Sequence, residues 1–223
     1  MTGEQMLDPG VIDHTSLGVT TTRLEIARLC EEAKEYGFAA VCLNPWHVRY
    51  AAQLLVGSAV RVAVVVGFPL GATTTAAKVF EAGEAVQSGA GEIDLVINVA
   101  ALKEGLTPYV AEEIACVRRC APEALLKVIL EMAVLTAEEK RQAAMLARDA
   151  GANMVKTSTG FAGGATVEDV KLLRETVPEL GIKASGGIRE VAFALELLAA
   201  GATRLGTSSA VKFISLDNLL KRF

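Results

Sequence analysis

Residues 136–183 read TAEEKRQAAMLARDAGANMVKTSTGFAGGATVEDVKLLRETVPELGIK, and one pattern runs through them twice. A helical run opens at a threonine placed three residues before an acidic side chain, Thr136 before Glu139 and Thr166 before Asp169. That spacing lets the hydroxyl cap the helix N-terminus. Gly151 follows the first run, as expected of a glycine just past a helix end. A short apolar segment comes after each helix, at 153–156 and 181–183, and each ends in a lysine. Strand, loop, helix and strand again is the βαβ unit of a parallel sheet.

The same alternation extends in both directions. Strand-like runs are expected at 10–12, 39–43, 61–66, 92–99, 125–131, 153–156, 181–183 and 203–206. Helical stretches rich in Ala, Leu and Glu lie between them at 22–36, 74–88, 111–120, 136–150, 166–176 and 189–200. Gly37, Gly89 and Gly201 repeat the stop signal of Gly151, and Thr22 before Glu25 repeats the cap. Eight such units make a (β/α)8 barrel the leading architecture, as a single domain over residues 1–223, with a doubly wound sheet as the alternative.

Composition removes other classes. With 52% hydrophobic residues the chain has ample apolar surface to offset the entropy of ordering. Its 22 Lys and Arg against 26 Asp and Glu give a net charge of −4 with no basic run, which argues against nucleic acid. The longest stretch without a polar side chain, 62–72, contains Gly67, Pro69 and Gly71. It is too short to span a membrane. The opening Met-Thr-Gly-Glu-Gln lacks the basic region of a secretory signal. Cys30, Cys42, Cys116 and Cys120 show no C-x-x-C spacing, and with only two histidines no zinc site is expected. Reduced thiols in a cytoplasmic protein are the expectation.

Active sites of such barrels sit at the C-terminal ends of the strands. Two lysines stand there, Lys156 ending strand six and Lys183 ending strand seven, each before a Gly/Ser/Thr-rich loop. One such lysine would be read as snorkelling to solvent. Two on adjacent strands suit Schiff-base chemistry, because a second cation nearby helps free a neutral amine. An unperturbed lysine is only about 0.04% neutral at pH 7. Spacing leaves open which of the two is the nucleophile.

Asp94, Val96 and Asn98 share one face of strand four. An aspartate in an apolar strand is costly unless paired, so Asp94 is either a structural ion pair or a proton shuttle facing the lysines. Lys127, Ile129 and Glu131 share a face of strand five and read as charged structural support. Asp13 and His14 are expected to end strand one, with a site or a network role. Three late loops combine glycines and hydroxyls before helices: 157–160, 185–187 and 206–209. Together they point to a phosphorylated small molecule.

These motifs resemble the deoxyribose-phosphate aldolase family of Schiff-base enzymes. The resemblance rests on Ile12-Asp13-His14-Thr15, Val41-Cys42-Leu43-Asn44-Pro45, Gly67-Phe68-Pro69-Leu70-Gly71, Glu92-Ile93-Asp94 and Lys127-Val128-Ile129-Leu130-Glu131. It continues through Lys156-Thr157-Ser158-Thr159-Gly160-Phe161, Lys183 with Gly186-Gly187, and Arg204-Leu205-Gly206-Thr207-Ser208-Ser209. It implies a (β/α)8 fold, Lys156 as the imine-forming lysine, Lys183 as the second lysine and Asp94 as the acid/base. It further implies phosphate loops at Gly160, Gly186, Gly187, Ser208 and Ser209, with Asp13 and Cys42 supporting the site. The implied reaction is reversible cleavage of 2-deoxy-D-ribose 5-phosphate to acetaldehyde and D-glyceraldehyde 3-phosphate, without metal or organic cofactor. Many of the family form dimers or tetramers. The chain departs from many relatives at Ser16-Leu17-Gly18-Val19 and Met132-Ala133-Val134, at Ala100 and Ser185, and in its Lys221-Arg222-Phe223 tail. The rival readings are a Schiff-base aldolase of other substrate range and a sugar-phosphate-binding barrel without catalysis.

Overall fold

The computed structural model describes residues 7–213, so the opening pentapeptide and the tail lie outside the described residues. Eight parallel strands close into a barrel in chain order, which excludes the doubly wound alternative. They are β1 (Ile12–Ser16), β2 (Ala40–Leu43), β3 (Arg61–Val66), β4 (Glu92–Val96), β5 (Leu125–Ile129), β6 (Met154–Lys156), β7 (Gly181–Ser185) and β8 (Arg204–Thr207). The helices are α1 (Arg23–Tyr36), α2 (Val48–Leu54), α3 (Thr75–Gln87), α4 (Val99–Lys103), α5 (Thr107–Cys120), α6 (Ala137–Asp149), α7 (Val167–Thr176) and α8 (Val191–Ala199). A further helical stretch starts at Ala210. No helix among the described residues is long and apolar enough to cross a membrane.

Local chemistry accounts for most boundaries. Thr22 with Glu25 and Thr136 with Glu139 form complete capping boxes. Thr166 caps α7, but the Asp169 carboxylate turns to Lys140 Nζ at 2.6 Å instead of closing a box. Gly37 sits in the left-handed region at φ 71°, which glycine adopts without a Cβ penalty.

Four strands end two or more residues from where they are expected. Residues 9–11 form a 3-10 turn capped by Asp8, and the strand expected at 10–12 instead runs from Ile12 to Ser16. Asp13 therefore lies inside β1, a burial made tolerable by the cations described below. Strand four stops at Val96 because the Asn98 side chain accepts from Ala101 N and caps α4, so Asn98 does not share a strand face with Asp94. Strand five stops at Ile129, and Glu131 turns left-handed at φ 59°. Strand seven continues to Ser185, which leaves Lys183 at its centre. The short helices α2 and α4 have no counterpart in the sequence pattern, and α5 starts four residues before the stretch expected at 111–120.

Strand alternation separates two interiors. Outward residues such as Val41, Val64, Leu95, Val128 and Ile182 join the helices in one apolar core. Inward residues of β2 and β3 are small and make a separate apolar cluster of Ala40, Cys42, Ala63 and Val65. The other strands fill the barrel with charge.

A buried ion pair holds the exit of β4 from outside the wall. Lys78 Nζ on α3 donates to Glu113 Oε1 on α5 at 2.7 Å and to Val96 O at 2.9 Å. Glu113 Oε2 accepts from Asn98 N at 3.0 Å. Both side chains are fully buried. Removing one partner of such a pair strands the other charge, so Lys78→Ala should cost about 3–5 kcal/mol. Urea unfolding checks this, and an unchanged midpoint would refute the clamp.

Candidate functional site

The barrel interior holds a charged cluster centred on Asp94. Asp94 Oδ2 accepts from Lys183 Nζ at 2.7 Å and from Lys156 Nζ at 2.9 Å, while Oδ1 accepts from Lys127 Nζ at 2.8 Å. Strand register explains the convergence: Asp94 pairs with Lys127 across β4–β5, and Lys156 with Lys183 across β6–β7. Asp13 takes Lys183 on Oδ2 at 2.5 Å and Arg204 on Oδ1 at 2.7 Å. Glu92 approaches Lys127 Nζ at 2.5 Å.

Burial by itself would raise the Asp94 carboxyl. The three ammonium groups outweigh it and hold Asp94 well below the usual carboxylate range. Burial would likewise lower Lys183, yet Asp13 and Asp94 keep it well above an ordinary lysine. Lys183 is thus a locked ammonium between two carboxylates. Among the described residues Lys156 contacts only one, and it lines the open cavity above while Lys183 lies wholly beneath. That difference favours Lys156 as the amine free to react.

The cavity has a volume of about 480 Å³. Lys156 forms part of its floor, and Gly160, Gly186, Gly187 and Ser208 line one side. Ser209 is not among the lining residues, and its N–H donates to Thr207 Oγ1 at 2.9 Å. Asp13, Asp94 and Cys42 are fully buried below the floor. Cys42 Sγ sits 3.8 Å from Asp94 Oδ2, and burial pushes its thiol up. Among the described residues no group of three or more His, Cys, Asp or Glu is disposed to hold a metal ion.

Hydrogen bonds join the β6 and β7 loops. Thr157 Oγ1 accepts from Ser185 N at 3.1 Å, and Ser185 Oγ donates to Ser158 O at 2.6 Å. Gly186 has φ 90°, and a Cβ there would lie 3.0 Å from Gly163 O and Gly164 Cα. Only glycine lets the two loops approach this closely.

Comparison with known proteins agrees with this geometry. The model of the DeoC/LacD family aldolases matches residues 10–210. The chain belongs to that family. It is 54% identical over 207 residues to the deoxyribose-phosphate aldolase of Alkaliphilus oremlandii, covering 92% of this chain and 93% of the relative. A Coccidioides immitis structure provisionally named deoxyribose-phosphate aldolase superimposes with a TM-score of 0.93 at 44% identity, covering 94% of this chain and 85% of that one. The deoxyribose phosphate aldolase of Aeropyrum pernix, described as tetrameric, gives 0.88 at 33% identity, covering 95% and 91%.

Some features of this aldolase were not legible in its sequence pattern. Glu131 does not pair with Lys127 as a shared strand face suggests. Its left-handed backbone turns the carboxylate toward the β6 loop, where it accepts from Thr159 N at 3.3 Å and from the Thr159 hydroxyl. Lys127 pairs with Glu92 and Asp94 instead. Arg204 is a second partner of Asp13, signalled only by a cation at the inward start of a short strand. The β1–α1 loop contributes Leu17 and Thr21 to the cavity wall, the first turn of α1 contributes Glu25, and Phe161 and Arg189 also line it. Phe161 meets Phe68 edge-on with ring centroids 5.3 Å apart.

Proposed function

We propose that this aldolase reversibly cleaves 2-deoxy-D-ribose 5-phosphate to D-glyceraldehyde 3-phosphate and acetaldehyde through an imine on Lys156. The observation that carries this reading is one cavity with two ends. A lysine bound to a single carboxylate lies on its floor, and loops of glycines and hydroxyls line its side. Neutral Lys156 attacks the open-chain aldehyde, and loss of water gives a protonated imine. A proton leaves the C3 hydroxyl, the C2–C3 bond breaks, and its electron pair moves into the imine to form an enamine. D-glyceraldehyde 3-phosphate departs. Protonation of the enamine carbon and hydrolysis release acetaldehyde and restore the amine.

Asp94, held as a carboxylate, is the acceptor for the hydroxyl proton, relayed by water. Lys183 is an ammonium at rest beside Lys156 and, with Asp94, relays the proton that the cycle returns to the enamine. Asp13 and Cys42 support these groups from below. Gly160, Gly186, Gly187, Ser208 and Ser209 form the phosphate end, with Ser209 acting through the turn that Thr207 holds. Anchoring the non-reacting end orients the carbonyl toward Lys156. No cofactor enters the scheme. Four free thiols suit a reducing, cytoplasmic setting. Assembly into a homodimer or homotetramer is consistent with the Aeropyrum pernix relative.

The direct test is reductive trapping with acetaldehyde followed by peptide mapping. A two-carbon adduct on Lys156 is expected. An adduct on Lys183 would reverse the two lysines, and none on folded protein would favour a sugar-phosphate binder. At the other end, Ser208→Asp should raise KM for the phosphorylated sugar by roughly tenfold or more, since like charges juxtaposed cost several kcal/mol. Trapping by acetaldehyde, which carries no phosphate, should be unaffected. An unaltered KM would remove Ser208 from the phosphate end.

A further inference from the structure

Four cations meet three carboxylates inside the barrel: Lys127, Lys156, Lys183 and Arg204 against Asp13, Glu92 and Asp94. The contacts are unequal. Lys127 lies within 3.5 Å of all three carboxylates, Lys183 is bound to two, and Arg204 reaches Asp13 at 2.7 Å and Glu92 at 3.8 Å. Lys156 has one carboxylate oxygen and shares it with Lys183. If any cation of the cluster gives up its proton, the remaining charges balance, and Lys156 has the fewest contacts to lose. Lys127 is fully buried and does not line the cavity.

We propose that Lys127 is a positioning residue for the reaction: as internal counter-cation to Glu92 and Asp94, it leaves Lys156 as the surplus charge and so keeps that amine available for imine formation. The proposal rests on the reading of Lys156 as the nucleophile. Burial would lower the Lys127 ammonium, but Asp94 and Asp13 outweigh it, so Lys127 stays charged across the working pH range. Its charge divides Asp94 between the two oxygens. Without it three carboxylates would face three cations. Lys156 would then be needed as a counter-ion, and its proton would be held more tightly.

Other groups around the amine do not take over this role. Asp13 on β1 is occupied by Lys183 and Arg204. Cys42 on β2 keeps its proton through burial. Glu131 after β5 is engaged by Thr159. Glu25 and Arg189 line the cavity with opposite charges. Beyond Lys127 and Arg204, Glu92 has, among the described residues, only the largely exposed Arg61, at 4.0 Å.

The test is the pH dependence of cyanoborohydride trapping with acetaldehyde on the full chain, with the adduct located by peptide mapping. In Lys127→Met the acid limb should move to higher pH by about one unit or more, the size expected when a nearby charge is removed. Trapping near neutrality should fall about tenfold and recover at alkaline pH. Lys127→Arg should restore the wild-type profile. Glu92→Gln removes an anion, and the limb should move toward lower pH. A purely structural defect would lower trapping at every pH and would not give opposite displacements. An acid limb unmoved in Lys127→Met, or moved to lower pH, overturns the proposal. If that variant does not fold, Glu92→Gln decides: displacement to lower pH supports the proposal, and no displacement or the reverse overturns it. A wild type that gives no adduct on Lys156 refutes the nucleophile itself, whereas a trapped wild type with unmoved variants refutes only the role of Lys127.

Discussion

Replacing Lys156 with Ala should abolish imine trapping and lower kcat for cleavage by on the order of 10⁴-fold or more, the scale on which loss of a nucleophile acts. The protein should fold normally. Asp94 keeps Lys127 and Lys183 at 2.8 and 2.7 Å, so no buried charge is left alone. The urea midpoint should therefore stay close to that of the wild type. Lys156→Arg preserves the positive charge without a usable amine, and it should be equally inactive. Substantial turnover in either variant would refute the nucleophile assignment. A large fall in stability would show that the surplus ammonium is structural.

Asp94→Asn should separate two functions that Lys156→Ala removes together. Lys156 still has its amine, so acetaldehyde should still be trapped, while cleavage loses its proton acceptor and kcat should fall by roughly 10²–10⁴-fold. Stability should fall as well, by about 3–5 kcal/mol at neutral pH, because three buried ammonium groups lose their shared acceptor. The folded Asp94 carboxyl is held well below its unfolded value of about 3.9. A depressed carboxyl stabilises the fold at pH values above the unfolded value, and that contribution is lost as pH falls through the folded one. The gap between wild type and Asp94→Asn should thus be full at neutral pH, begin to narrow as pH falls below about 3.9, and go on narrowing toward the folded value. Urea unfolding across pH 2–8 measures it. A gap independent of pH would mean that the Asp94 charge does not stabilise the fold.

Short-range signals were readable along the chain because they act over a few residues. Thr22 with Glu25, Thr136 with Glu139 and the glycine at position 37 announced helix ends, and the structure contains each of them. Signals failed where a side chain could choose between local and distant partners. Asn98 looked like a strand residue but caps α4, and Glu131 looked like a partner for Lys127 but turned toward Thr159. Asp13 is expected at a strand end because the apolar run before it, residues 10–12, reads as the strand. It lies inside β1 because Lys183 and Arg204, 170 and 191 residues away in the chain, neutralise it there.

The sequence by itself determined the order of the eight strands and the six longer helices, the ends at which chemistry could stand, and the residue types there, since caps, glycine stops and period-two alternation are local properties of the chain. What only the tertiary structure decided is how many carboxylates each of the two lysines meets. Lys156 and Lys183 look alike in sequence, each a lysine after apolar residues and before a glycine-rich loop. Barrel closure gives Lys183 two carboxylates beneath the floor and leaves Lys156 one, at the edge of the cavity. The energy that separates them is Coulombic. It depends on how charges from β1, β4, β5, β7 and β8 meet in space, which no local pattern encodes.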